Sequence, residues 1–169
     1  MDNIAYITPQ FAVTAALAPE DFAAAAAMGF RSVISNRPDN EELGQLTARA
    51  ESVLAWRSGL AFRHVPAAKA GIFGDAVVEA MEEAIRTLEG PVLAHCKTGA
   101  RSAVAWAAAS ARCQPVDCVL AAVRKAGFDL EALREELEAQ ASRKRWLGSA
   151  LPALDCREAA KFAALHPAA

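Results

Sequence analysis

Cys96 and Arg101 frame the stretch of this 169-residue chain best suited to chemistry, PVLAHCKTGARSAVAW at 91–106. The apolar run Val92-Leu93-Ala94 reads as a buried strand that ends in His95 and Cys96. A tight loop through Lys97, Thr98, Gly99 and Ala100 follows, and the chain turns helical from Arg101. A thiol at a strand end, with loop amides and a helix N-terminus in front of it, makes an anion cradle with a nucleophile at its base. The thiolate is the reactive form of cysteine, and the field of such a loop favours negative charge. Arg101 opens a helix whose dipole would repel it, so its position calls for an anionic ligand held by the planar guanidinium.

HCKTGARS resembles the signature loop of the cysteine-dependent phosphatases, in which five residues separate Cys from Arg and a Ser or Thr follows. Here only four separate Cys96 from Arg101. That shortened loop, with SNRPDNEE at 35–42 and GPVLAHC ahead of the cysteine, resembles the phosphatase-like domain of the beta-lactamase hydrolase-like proteins, over roughly residues 3–140. The resemblance implies a three-layer α/β fold of the protein-tyrosine and dual-specificity phosphatase type, with Cys96 and Arg101 as the catalytic pair. It implies that Ser102 hydrogen-bonds the Cys96 thiolate, and that Asn36 and Arg37, from the family's NRPD motif, stand near the substrate. His95 reads as a framework residue, and Lys97, Thr98, Gly99 and Ala100 as donors of backbone amides. Relatives are sometimes fused to persulfide dioxygenases, which makes such an enzyme a candidate partner.

A phosphatase needs a general acid for its leaving group. The stretch where the resemblance would place one, HVPAAKAG at 64–71, has Ala67, Ala68 and Lys69 instead. Asp75 is the only later candidate, and its simplest role is to cap a helix. The six-residue span from Cys96 to Arg101 is also the size of rhodanese-type sulfurtransferase loops. Sulfur transfer needs no protonated alcohol, because thiol or sulfite leaves as a stable anion. The leading expectation is therefore a sulfurtransferase that carries sulfane sulfur on Cys96, taken from a small anionic donor such as thiosulfate or glutathione persulfide. A phosphatase working through a phosphocysteine is the second reading. A non-enzymatic thiol sensor or anion-binding module is the third.

Composition narrows the field. The length suits one domain with a sizeable core. A net charge of −2 gives no case for nucleic acid, and no apolar run is long enough to span a membrane. The N-terminus lacks the basic start of a secretory signal, which reads as cytoplasmic. Four cysteines without regular spacing fit reduced thiols, and no metal or cofactor motif is found. Asp39, Glu41 and Glu42 read as solvated loop charges.

The positioning elements follow in order. Strands are expected over 4–8, 30–35, 60–65 and 91–96, about four in a mostly parallel sheet. Helices are expected over 19–29, 43–56, 76–88, 101–112, 116–125 and 130–145. Asp75 and Asp129 are expected N-caps, with Val77, Met81, Ala84 and Leu88 facing the core and Glu79, Glu82, Glu83 and Arg86 facing away. The strands stop near residue 96, leaving a helical C-terminal half. The catalytic domain is set at 1–146, with 147–169 an appended extension that holds one short helix or is partly mobile.

Overall fold

The computed structural model describes residues 3–143. The expected extension at 147–169 lies outside the described residues. Five strands form one sheet in the order β1-β2-β5-β3-β4. They are β1 (Ala5–Thr8), β2 (Phe11–Thr14), β3 (Ser32–Ser35), β4 (Ala61–His64) and β5 (Val92–His95). β1 is antiparallel to β2, and every other pair is parallel. The strand missed from the sequence is β2. It lies two residues beyond β1 and is buried at all four positions, so it shows none of the alternation that marks a half-exposed strand.

Parallel neighbours require crossovers, and helices supply them. α1 (Asp21–Ala27) and α2 (Ala48–Arg57) cover one face, where Phe22, Ala25 and Ala55 pack with Ala12, Val33 and Leu93. α3 (Asp75–Thr87), α4 (Ala100–Ala111), α5 (Val116–Lys125) and α6 (Arg134–Ser142) cover the other, over Phe11, Val13, Ile34, Val92 and Ala94. The expected α2 began too early, because the NRPD segment continues as loop to Thr47, whose hydroxyl caps the helix by accepting from the Ala50 amide. On α3, Met81 and Ala84 are buried as expected, but Glu82 is buried too.

α4 explains the abundance of alanine. It lies between α3 and α6 and is buried on nearly all sides, including Ala103, Ala105, Ala107, Ala108 and Ala109. Small side chains let the neighbouring helices approach it closely. Trp106 is the large exception, packed against Phe11 of β2 with ring centroids 6.0 Å apart. β5 therefore sits between β2 and β3 but sends its helix to the opposite face of the sheet from α1 and α2. A crevice at the carboxyl ends of the strands, where neighbouring crossovers diverge, is the usual place for a ligand in such sheets. Among the described residues no helix is long and apolar enough to cross a membrane.

Candidate active site

Cys96 follows the last residue of β5 directly and is 1% exposed. The loop behind it closes within three residues: the Gly99 amide donates to Cys96 Sγ at 3.2 Å, and α4 starts at Ala100. Gly99 holds φ at 87°, a left-handed conformation that glycine alone adopts freely. A Cβ there would stand 3.3 Å from the Thr14 carbonyl oxygen and 3.6 Å from the Phe128 ring. Gly99→Ala is accordingly expected to cost about 1–2 kcal/mol from the left-handed backbone alone. Thermal unfolding should report this as a fall of several degrees in Tm.

The first amides of α4 have no preceding helical turn to bond to, which leaves donors directed toward the thiol end of the loop. Ser102 lies in this first turn, buried, with no hydrogen-bond partner for its Oγ. A buried hydroxyl in that condition is available to a ligand or to the sulfur. Lys97, Thr98 and Ala100 are exposed at the mouth. His95 is turned to the other face of the sheet, completely buried, with Nε2 3.5 Å from the carboxylate of Glu51 on α2. That places it as framework behind the site.

The NRPD segment lies beside the Cys96 loop. β3 lies beside β5 and parallel to it, and the Asn36 amide donates to the His95 carbonyl at 2.9 Å. Asn36 Nδ2 donates to the Val65 carbonyl at 2.9 Å, and the Arg37 carbonyl lies 2.8 Å from His64 Nε2. Both residues are thus fixed to the exit of β4. Arg101 Nη1 donates to the Asn36 carbonyl at 3.3 Å, so the two motifs meet at the mouth of the loop.

Glu41 and Glu42 are exposed loop charges, as expected, but each is also ion-paired. Glu41 bridges Arg101 Nη2 at 2.5 Å and Arg37 Nε at 3.3 Å, while Glu42 bridges Arg37 Nη2 at 2.8 Å and Lys97 Nζ. The hydrogen bond from Arg101, aided by Arg37, holds the Glu41 carboxyl below the usual carboxylate range. Lys97 foremost, and then Arg37, do the same for Glu42. Both stay ionised at neutral pH, and neither is a ready proton donor.

Asp75 is not brought to this site. The cap of α3 is Gly74, with no side-chain cap bond, and Asp75 is the first helical residue. Its carboxylate binds Arg112, at 2.6 Å, and Arg143. Arg112 follows the last residue of α4, about 18 Å along the helix from the Cys96 loop at 1.5 Å per residue. Asp129 accepts from the Glu131 amide at 3.1 Å, in the turn before α6 rather than at its cap. Cys113 is exposed and donates to the Ser110 carbonyl. Cys118 is disulfide-bonded, against the expectation of reduced thiols, since irregular spacing argues against a framework of bridges but not against a single one. No group of three or more candidate metal ligands gathers among the described residues.

The arrangement can therefore hold an oxyanion or a small sulfur group between loop amides and a guanidinium, above a buried thiol. Comparison with known proteins gives the family and the fold. The family described as beta-lactamase hydrolase-like protein, phosphatase-like domain, matches residues 3–113. A beta-lactamase hydrolase-like protein of Xylella fastidiosa is 38% identical over 105 residues, covering 62% of this chain and 24% of its own length. One from Agrobacterium fabrum is 34% identical over 125 residues, covering 72% and 28%. The chain thus spans about a quarter of the length of the curated relatives it matches. Among solved structures, a candidate phosphatase from Neisseria meningitidis matches with a TM-score of 0.71 at 30% identity, over 83% of this chain and 99% of that one. The core catalytic domain of a PP-IP phosphatase from S. cerevisiae matches at 0.56 with 12% identity, over 99% and 96%, and shows the fold alone. The phosphatase-type fold expected from the resemblance is the one observed, with five strands in place of about four.

Proposed function

We propose that this chain, which belongs to the family of phosphatase-like domains of beta-lactamase hydrolase-like proteins, is a cysteine-dependent sulfurtransferase that carries sulfane sulfur on Cys96. The observation that carries this reading is a thiol cradle with no ready proton donor beside it among the described residues. The loop from Cys96 to Arg101 is six residues long, Asp75 is committed at the far end of α4, and Glu41 and Glu42 are held ionised by the cations they pair with. An alkoxide leaving group would go unprotonated at such a site, whereas a thiolate or sulfite needs no proton.

The reaction has two displacements. The Cys96 thiolate attacks the outer sulfur of thiosulfate or of glutathione persulfide, and the sulfur–sulfur bond of the donor breaks. Sulfite or glutathione thiolate departs with the electron pair. Cys96 then bears a persulfide, held by the loop amides and the Ser102 hydroxyl, with Arg101 across the mouth. An acceptor thiolate attacks the outer sulfur and becomes the new persulfide, and the Cys96 thiolate is restored. No net oxidation occurs and no cofactor is required. A cytoplasmic setting suits this thiol chemistry, and a persulfide dioxygenase is a suitable downstream partner.

Phosphate-ester hydrolysis through a phosphocysteine is the second reading, favoured by the phosphatase-type fold and the family to which the chain belongs. Loop length separates the two. The unaltered protein is expected to gain one sulfur atom on incubation with thiosulfate or glutathione persulfide, by intact-mass measurement, and to lose it to cyanide. It should hydrolyse aryl phosphates slowly and alkyl phosphates more slowly still. Inserting one glycine between Gly99 and Arg101 should shift the balance toward aryl phosphate. Efficient turnover of phosphotyrosine peptides without sulfur uptake would make the second reading correct.

A further inference from the structure

The mouth of the site is a chain of alternating charges, Arg101–Glu41–Arg37–Glu42–Lys97. Two carboxylates from consecutive residues thus occupy three cations at the loop. Of the three cations, the two arginines are better fixed than the acids they pair with. Arg37 is 7% exposed and its carbonyl is tied to His64, while Arg101 belongs to the first turn of the buried helix α4 and is bound to the Asn36 carbonyl. The acids are more exposed than these arginines: their side chains are 27% and 41% accessible, on the segment between β3 and α2 that has neither helix nor strand, and Lys97 is exposed at the rim. Because the carboxylates reach these cations from the solvent side, water screens their half of each pair and a competing anion can replace them. Displacing both carboxylates would bare three positive charges, more than one singly charged group can neutralise.

We propose that Glu41 and Glu42 stand in for the anionic groups of the substrate, and that the site takes ligands bearing a further anionic group beside the reacting one. The reacting group would lie in the Cys96 loop against Arg101, and the second, a carboxylate or phosphate, against Arg37 and Lys97. On the sulfurtransferase reading, on which this rests for its chemistry, a persulfide donor with carboxylates of its own fits the site better than thiosulfate does. Glutathione persulfide is such a donor. Binding itself does not depend on which reaction follows.

Calorimetric titration of the full chain with methylphosphonate, which has one anionic group, and methylenebisphosphonate, which has two, tests the proposal. Glu41→Gln/Glu42→Gln should bind both more tightly, by about three- to tenfold, with the larger gain for the bisphosphonate. Adding Arg37→Gln should remove that extra gain. If the paired variant unfolds, Glu42→Gln alone should show the same direction with a smaller gain. Weaker binding in these variants would mean that Glu41 orients Arg101 for a ligand instead of competing with it, and would overturn the proposal. Equal gains for the two probes would overturn the two-group substrate class. Sulfur uptake on Cys96, followed by mass in the same variants, reports on the sulfurtransferase reading separately. Uptake without any competition from Glu41 and Glu42 would leave that reading standing and remove this one.

Discussion

Cys96→Ser is expected to lower sulfur uptake and any phosphate-ester turnover by at least about a thousandfold, with an unchanged circular-dichroism spectrum. The expectation follows from chemistry more than from shape. A serine hydroxyl fills nearly the same volume at the end of β5 and can accept the Gly99 amide that now points at Sγ. It ionises far less readily than a thiol, and it forms no persulfide. Cys113→Ala is the matched control, because that thiol is exposed beyond the far end of α4. It should keep most of the activity. Sulfur uptake that survives in Cys96→Ser but disappears in Cys113→Ala would place the nucleophile at the wrong end of α4 for everything argued from the loop.

Arg101→Lys should reduce turnover by about a hundredfold or more, although it preserves charge. The guanidinium spans two partners at once, the Asn36 carbonyl through Nη1 and the Glu41 carboxylate through Nη2. A lysine ammonium can occupy one of these positions but cannot present two parallel donors at fixed spacing. The loss should appear mainly in kcat/KM for anionic donors, with little change in thermal stability. Near-normal kinetics in the lysine variant would reduce Arg101 to a general positive charge at the rim.

The nucleophile was legible because its setting is contiguous: strand, thiol, glycine turn, arginine and helix follow within sixteen residues, 91–106. Local pattern carries that information. β2 was illegible for the opposite reason, since a strand of four residues buried on both sides has no periodicity to read. The roles of Glu41, Glu42 and Glu51 were beyond reach as well. Glu41 meets Arg101 across sixty positions of sequence, and Glu51 meets His95 only because α2 folds back over the sheet. Acidic residues in a polar loop, or on the first turn of a helix, look solvated until a distant cation or imidazole is brought to them. Asp75 was misread by the same mechanism: its local context suits a cap, but its partners Arg112 and Arg143 lie 37 and 68 residues away.

The near-complete burial of α4 divides the mouth of the site into a stiff half and a soft half. A helix packed on alanines between two others cannot slide or tilt without opening voids or forcing clashes, since interiors are packed at crystal-like density. Beyond its far end, Arg112 is further pinned through Asp75 to α3 and through Gln140 to α6. The thiol, the glycine turn and Arg101 therefore form a fixed gauge against which every ligand is measured. Any adjustment to a bulkier or differently charged molecule falls to the segment between β3 and α2, where surface contacts can be exchanged cheaply. Divergence in ligand choice among proteins of this architecture should accordingly be written in that segment, while changes along α4 should register as loss of fold.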